Sequence, residues 1–197
     1  VVEYLNALEE NCFTDDNVKF INAAIGPRDG SCALKLIPPE SLSLLEETYC
    51  AWYTGSGKAT DVNVAWYAKS MSCVDSDHRE LRQMLKAIHG MHHLVTREVK
   101  MMTWAGLAET VNMASVDLVK IDAEGMDCKI IDSMLEYCAG HPEAYPKVIK
   151  FEANGLTKKS VIRRTKSKLR ELGYFVWQLT HDVIAQWDDQ CHRVGVV

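Results

Sequence analysis

The chain has 197 residues, of which 47% are hydrophobic and 25% charged, with a net charge of −5 at pH 7. That length suits one domain with a real core, and the acidic balance argues against general nucleic-acid binding, which needs a basic face. No apolar run reaches the length of a membrane span. The start, Val1-Val2-Glu3, has neither a signal-peptide pattern nor an initiator Met. The expectation is a cytoplasmic protein, and a chain that begins partway into a longer one.

In chain order, residues 2–12 read as a helix with Tyr4, Leu5 and Leu8 on one side. Val18 to Ile25 reads as a strand that stops at Gly26-Pro27, and Arg28-Asp29-Gly30 as a turn. Cys32 to Ile37 follows as a second strand, so the two suggest a hairpin-like extension that Pro38-Pro39 ends. Ser41 to Trp52 fits a helix, and Val62 to Tyr67 alternates weakly like a strand. Ser76 to Leu94 fits a capped amphipathic helix, with Asp77 as N-cap and Leu81, Met84, Leu85 and Ile88 on one face. Val95 to Met102 reads as a strand and Ala105 to Val111 as a short helix.

Val116 to Asp127, VDLVKIDAEGMD, is the most informative stretch. An apolar run (Val116, Leu118, Val119, Ile121) breaks at Asp122-Ala123-Glu124-Gly125, and Met126, Ile130, Ile131, Met134 and Leu135 then recur at helical spacing. The pattern is a buried strand feeding a helix, with two carboxylates at the strand's carboxyl end. Ligands bind there in open α/β sheets. Gly140-His141-Pro142 makes a loop, and Lys147 to Glu152 a further strand ending in Ala153-Asn154-Gly155. Residues 158–172 read as a helix stopped by Gly173. Tyr174 to Leu179 and Val183 to Trp187 close the chain as two antiparallel strands. The basic run Lys158 to Arg170 reads as the solvated side of that helix in preference to a phosphate or RNA patch.

The segment VDLVKIDAEGMD resembles the signature strand and turn of FkbM-type methyltransferases, S-adenosylmethionine-dependent O-methyltransferases of class I. The flanks are similar too: LNALEEN with VKFINAAIGPRDGSCAL, then VKMMTWAGLAETV, PKVIKFEANG and LRELGYFVWQL. The resemblance covers about two thirds of the chain. It implies an α/β domain over residues 1–197 with a Rossmann-like sheet and helices on both faces. Residues 40–95 would then be an insertion or an acceptor-side segment. Two departures accompany it. No G-x-G-x-x-G loop precedes Val18, so the sheet is expected to be incomplete in its N-terminal half and the donor-binding residues stay unassigned. Ala105 stands where the family usually has Asp.

The resemblance implies methyl transfer from S-adenosylmethionine to an oxygen of a small molecule or sugar, with no nucleic-acid or membrane partner. Such chemistry rests on positioning the acceptor and removing its proton. Asp122 is the candidate to orient or deprotonate the hydroxyl, and Glu124 to share that role. Lys120, on the same strand face as Asp122, is the candidate to hold it ionised, or a structural ion pair. Glu152 and Asn154 are candidate acceptor-binding residues, although Asn154-Gly155 also suits a plain turn. If central strands are missing, a paired homodimer could fill the gap.

Other readings compete. Asp122, Glu124, Glu152 and Asn154 offer oxygens that could converge on Mg²⁺ or Ca²⁺, which admits a metal-dependent α/β hydrolase. A methyltransferase-like scaffold without activity is the other alternative. His89 and His93 would share a helical face and suggest zinc with Glu98, a weaker reading than surface histidines. Thr54 to Lys58 is a poor match to a phosphate loop. Cys128 fits packing better than nucleophilic catalysis. The seven cysteines (Cys12, Cys32, Cys50, Cys73, Cys128, Cys138, Cys191) contain no C-x-x-C pair. They read as free, mostly buried thiols of a reducing compartment.

Overall fold

The computed structural model describes residues 18–38, 40–41, 45, 73–74 and 79–187. The helix expected at 2–12, the strand at 62–67, most of the helix at 41–52, the Thr54 to Lys58 loop and the Asp77 cap lie outside those residues. So do Cys12, Cys50 and Cys191. No helix among the described residues is long and apolar enough to cross a membrane.

The architecture is mixed α/β with two four-stranded sheets. The first sheet holds β1 (Ala24–Ile25), β2 (Gly30–Leu36), β3 (Cys73–Val74) and β4 (Val95–Met102), in the order β1-β4-β2-β3. The expected strand at 18–25 is therefore confined to its last two residues. The expected hairpin does not form. Asp29 and Gly30 do reverse the chain, but β4 lies between β1 and β2, parallel to β1 and antiparallel to β2. The register Gly30↔Met101 to Leu36↔Val95 runs the whole length of β2, whereas β1 offers two residues. The longer ladder satisfies more backbone groups, and a turn signal does not specify which edge a strand then pairs with.

Between β3 and β4, α1 (Arg79–Ala87) turns Leu81 and Leu85 into the core, with Ile88 just beyond its end. It is shorter than the helix expected at 76–94. The chain leaves the helical region at His89 (φ 54) and makes a separate 3-10 turn at Met91–His93.

Helix α2 (Trp104–Val111) leads out of the first sheet. Its N-cap Thr103 accepts a hydrogen bond from Gly106 N at 3.1 Å, satisfying one otherwise unpaired amide. Thr103 N donates to Asp29 Oδ1 at 2.8 Å, tying the β1–β2 turn to the helix start. Trp104 N donates to Ser133 Oγ at 3.1 Å, which fastens α2 to the next helix.

The second sheet holds β5 (Leu118–Ile121), β6 (Val148–Glu152), β7 (Tyr174–Leu179) and β8 (Asp182–Trp187), in the order β5-β6-β8-β7. Strands β5 and β6 are parallel, joined through α3 (Asp127–Gly140). Helix α4 (Lys159–Glu171) links β6 to β7, with Gly173 (φ 95) just past its end. Strands β7 and β8 form an antiparallel hairpin, and β8 pairs antiparallel with β6. These elements match the expected ones within about two residues, the usual ambiguity of element ends.

Val119, Ile121, Ile149 and Phe151 point to one face of this sheet, packed against Ile131, Met134, Ile162 and Leu169 of α3 and α4. Strand β5 was expected to be buried. It alternates instead: Leu118 is 63% exposed and Lys120 is exposed, while Val119 and Ile121 are buried. Burial follows one face because α3 and α4 pack on the side of Val119 and Ile121. The expectation of a single sheet with helices on both faces therefore gives way, among the described residues, to two sheets.

Candidate active site

Lys120 and Asp122 emerge on the same side of β5, with Lys120 Nζ 3.4 Å from Asp122 Oδ2. Both side chains are more than half exposed, so the pair contributes little to stability.

The chain then turns sharply. Met126 N donates to Ala123 O at 3.0 Å, with Glu124 (φ 45) and Gly125 (φ 93) both in the left-handed region. Glycine is required at 125 twice over, because a Cβ there would also lie 3.1 Å from Leu156 Cβ. Glu124 has no such freedom. A non-glycine residue held at positive φ costs about 1 kcal/mol or more.

Carboxylate oxygens of Asp122, Glu124 and Glu152 all lie within 4.8 Å of one another. The three acids that the sequence reading grouped, with Asn154, around a divalent cation thus form one cluster. The parallel register that places Ile121 beside Phe151 brings the exits of β5 and β6 together.

Asn154 makes the expected turn contact and also bonds Glu152. Its Oδ1 accepts from Leu156 N at 3.0 Å, which is turn chemistry, and its Nδ2 donates to Glu152 Oε2 at 2.6 Å. Burial pushes the Glu152 carboxyl up from its ordinary value, and the charges of Asp122, Asp127 and Asp182 push the same way. His181 opposes them.

Sequence reasoning assigned no role to Asp127, whose side chain is 1% exposed. Its Oδ1 accepts from Glu152 N at 3.2 Å, and the backbone of Ala123, Gly125 and Asp127 itself also bonds it. Burial raises its pKa while these bonds pull it down. One carboxylate therefore fastens the β5 turn, the start of α3 and the end of β6. The available signal was an acid in the first turn of a helix, where the dipole favours negative charge.

Beside the cluster lies a cavity of about 610 Å³ between the two sheets. Ala24 and Ile25 of β1 line one side, Lys120 to Ala123 another, with Trp104 and Met113 between. The lining is mostly apolar. Trp104 Nε1 is buried without an acceptor among the described residues, which is costly unless a ligand or solvent pairs with it.

The zinc geometry changes. His89 lies beyond the end of α1 and His93 in a separate 3-10 turn, so they share no helical face. The His93 ring lies tilted against His92, 4.0 Å between centroids, and burial followed by the His92 charge lowers its pKa. Cys128 is 1% exposed within the core, and burial raises its thiol pKa, which suits packing. Cys32 and Cys138 are likewise free and buried, and Cys138 is pushed up to about 11.

Comparison with known protein families, with curated proteins and with solved structures finds no match.

Proposed function

We propose that this chain transfers a methyl group from S-adenosylmethionine to an oxygen of a small molecule or sugar, on a class I methyltransferase sheet. The observation that carries the reading is the carboxylate cluster of Asp122, Glu124 and Glu152 at the exits of two adjacent parallel strands, beside a large, mostly apolar cavity. That is where open α/β sheets hold ligands. The inserted antiparallel β8, which gives the order β5-β6-β8-β7, supports the same sheet type.

The residues present fit the methyl donor in two respects. The cavity is the size of a typical small-molecule site, and its mostly apolar lining includes one carboxylate, Asp122. Trp104, Met113 and Ile25 would hold its apolar and aromatic parts, and Asp122 would face its positive charge. When bound, the donor supplies a methyl on a sulfonium sulfur that an oxygen nucleophile displaces in line.

The chain's own groups prepare that nucleophile. Glu152 is the base: its raised pKa moves it toward the working pH, where a general base is most effective. Asn154 fixes its carboxylate through the 2.6 Å hydrogen bond. Asp122, held by Lys120, orients the acceptor hydroxyl, and Glu124 closes the third side of the acidic cluster. The acceptor proton passes to the Glu152 carboxylate as the O–C bond forms.

The test is methyl transfer from labelled S-adenosylmethionine to a panel of sugars and hydroxylated small molecules. Glu152→Gln and Asp122→Asn are each expected to lower kcat by about a hundredfold or more while donor binding persists. Absence of transfer to every hydroxylated acceptor, or wild-type rates in both variants, would sink the proposal.

The convergence of three carboxylates within 4.8 Å also favours a second reading. A hard divalent cation takes such oxygens, and a metal-dependent hydrolase would use them. Hydrolysis abolished by a chelator and restored by Mg²⁺, with no methyl transfer, would select it.

A further inference from the structure

The basic residues of α4 divide into two sets with different surroundings. Arg164 and Lys168 face Asp132 of α3, and Lys168 Nζ lies 2.5 Å from Asp132 Oδ1. Lys159, Arg163 and Lys166, at i, i+4 and i+7, share the other face. With Lys158 and His181 they line a second cavity, of about 760 Å³. No acid contributes to its lining, and no carboxylate among the described residues pairs with Lys158, Lys159 or Arg163. Lys166 Nζ is held toward this side by Gln178 Oε1 at 3.1 Å. Uncompensated cations gathered around one concavity in an otherwise acidic chain are not explained by helix solvation, which needs no cavity and tolerates nearby acids.

We propose that this cavity binds the phosphate of a phosphorylated small molecule. Several full positive charges exceed what a single carboxylate needs and suit a dianionic phosphate monoester, with Arg163 able to bind two oxygens at once. A nucleic acid would need an extended basic face, whereas here Arg164 and Lys168 on the neighbouring face of the helix are paired with Asp132 and the chain carries −5 overall. The cavity adjoins the acidic cluster: Asn154 lines it and donates to Glu152, and His181 lines it and acts on the Glu152 charge. Phosphate bound there would leave the rest of the molecule at the exits of β5 and β6. The assignment of this molecule as the methyl acceptor rests on the proposed transfer reaction; the anion site does not.

Calorimetric titration with inorganic phosphate and with glucose 6-phosphate, beside unphosphorylated glucose, tests the site without any methyl donor. Saturable one-to-one binding of glucose 6-phosphate, absent for glucose, is the expected result. The double substitution Lys159→Ala with Arg163→Ala should weaken it at least tenfold. Arg164→Ala with Lys168→Ala removes the same charge from the other face and should change it less than twofold. Equal losses from both pairs, or no saturable phosphate binding, overturns the site. Tighter binding of a single-stranded oligonucleotide or of phosphatidic acid vesicles, not displaced by glucose 6-phosphate, overturns the small-molecule assignment. Methylation of free sugars but not of sugar phosphates overturns the acceptor role alone and leaves the transfer reaction standing.

Discussion

Glu124 carries both a structural cost and a candidate function. It sits at φ 45 between Ala123 and Gly125, a conformation that glycine adopts freely. Glu124→Gly is therefore expected to stabilise the fold by about 1 kcal/mol in denaturant unfolding and to reduce methyl transfer, because the third carboxylate is lost. A gain in stability with unchanged activity would remove Glu124 from the site. This trade is common where a site holds strain.

Glu152 makes a prediction through pH. Its native pKa is raised above the ordinary 4.5, so the folded chain holds that proton more tightly than the unfolded one. The group's contribution to stability is full below the ordinary value and is lost as pH rises through the raised one. At pH 7 the charged form is then a cost. Glu152→Gln should melt at a higher temperature than the wild type at pH 7, with the difference vanishing by about pH 4. A variant that is less stable at pH 7 would contradict the burial and charge argument. The cluster itself was only partly legible in the sequence. Asp122 and Glu124 stood out because a strand exit has no structural need for two acids. Asp127 did not, since its role depends on a contact with Glu152 N from 25 positions away.

At the level of elements, residues 95–187 were readable because each local signal agreed with its surroundings. Alternation marked Val95 to Met102, helical spacing marked α3, and Gly173 closed α4. The mistaken hairpin has a different origin. The second strand and the turn before it were located within about two residues and the first strand shrank to Ala24–Ile25, but pairing is decided by a third strand, β4, far along the sequence. Local composition does not encode that competition. Likewise, Val116 to Ile121 is apolar enough to read as a buried strand, yet Leu118 remains exposed because it points to the face opposite the one that α3 and α4 cover. Packing energy in this half centres on β6, where Phe151 is 0% exposed between β5 and β8. Phe151→Ala should cost about 3–5 kcal/mol in reversible unfolding. A loss below about 1 kcal/mol would mean that α3 and α4 do not pack on this face as described.

At the scale of the molecule, two sheets stand, among the described residues, where the resemblance implied one, and the candidate sites lie between and beside them. A mostly apolar cavity separates β1 from β5, the acidic cluster occupies the exits of β5 and β6, and the basic cavity follows along the same edge. None of this spatial order was visible in composition: the acids and the bases are spread over residues 120–181, and the net charge of −5 conceals their separation. S-adenosylmethionine is the donor that the sequence resemblance implies, and the mostly apolar cavity beside Asp122 is where we propose that it binds. The decisive measurement is therefore calorimetric titration of the chain with S-adenosylmethionine. The account predicts saturable one-to-one binding, weakened when Met113→Trp fills the cavity. No binding, or binding indifferent to that substitution, would contradict it and favour a scaffold role for the domain.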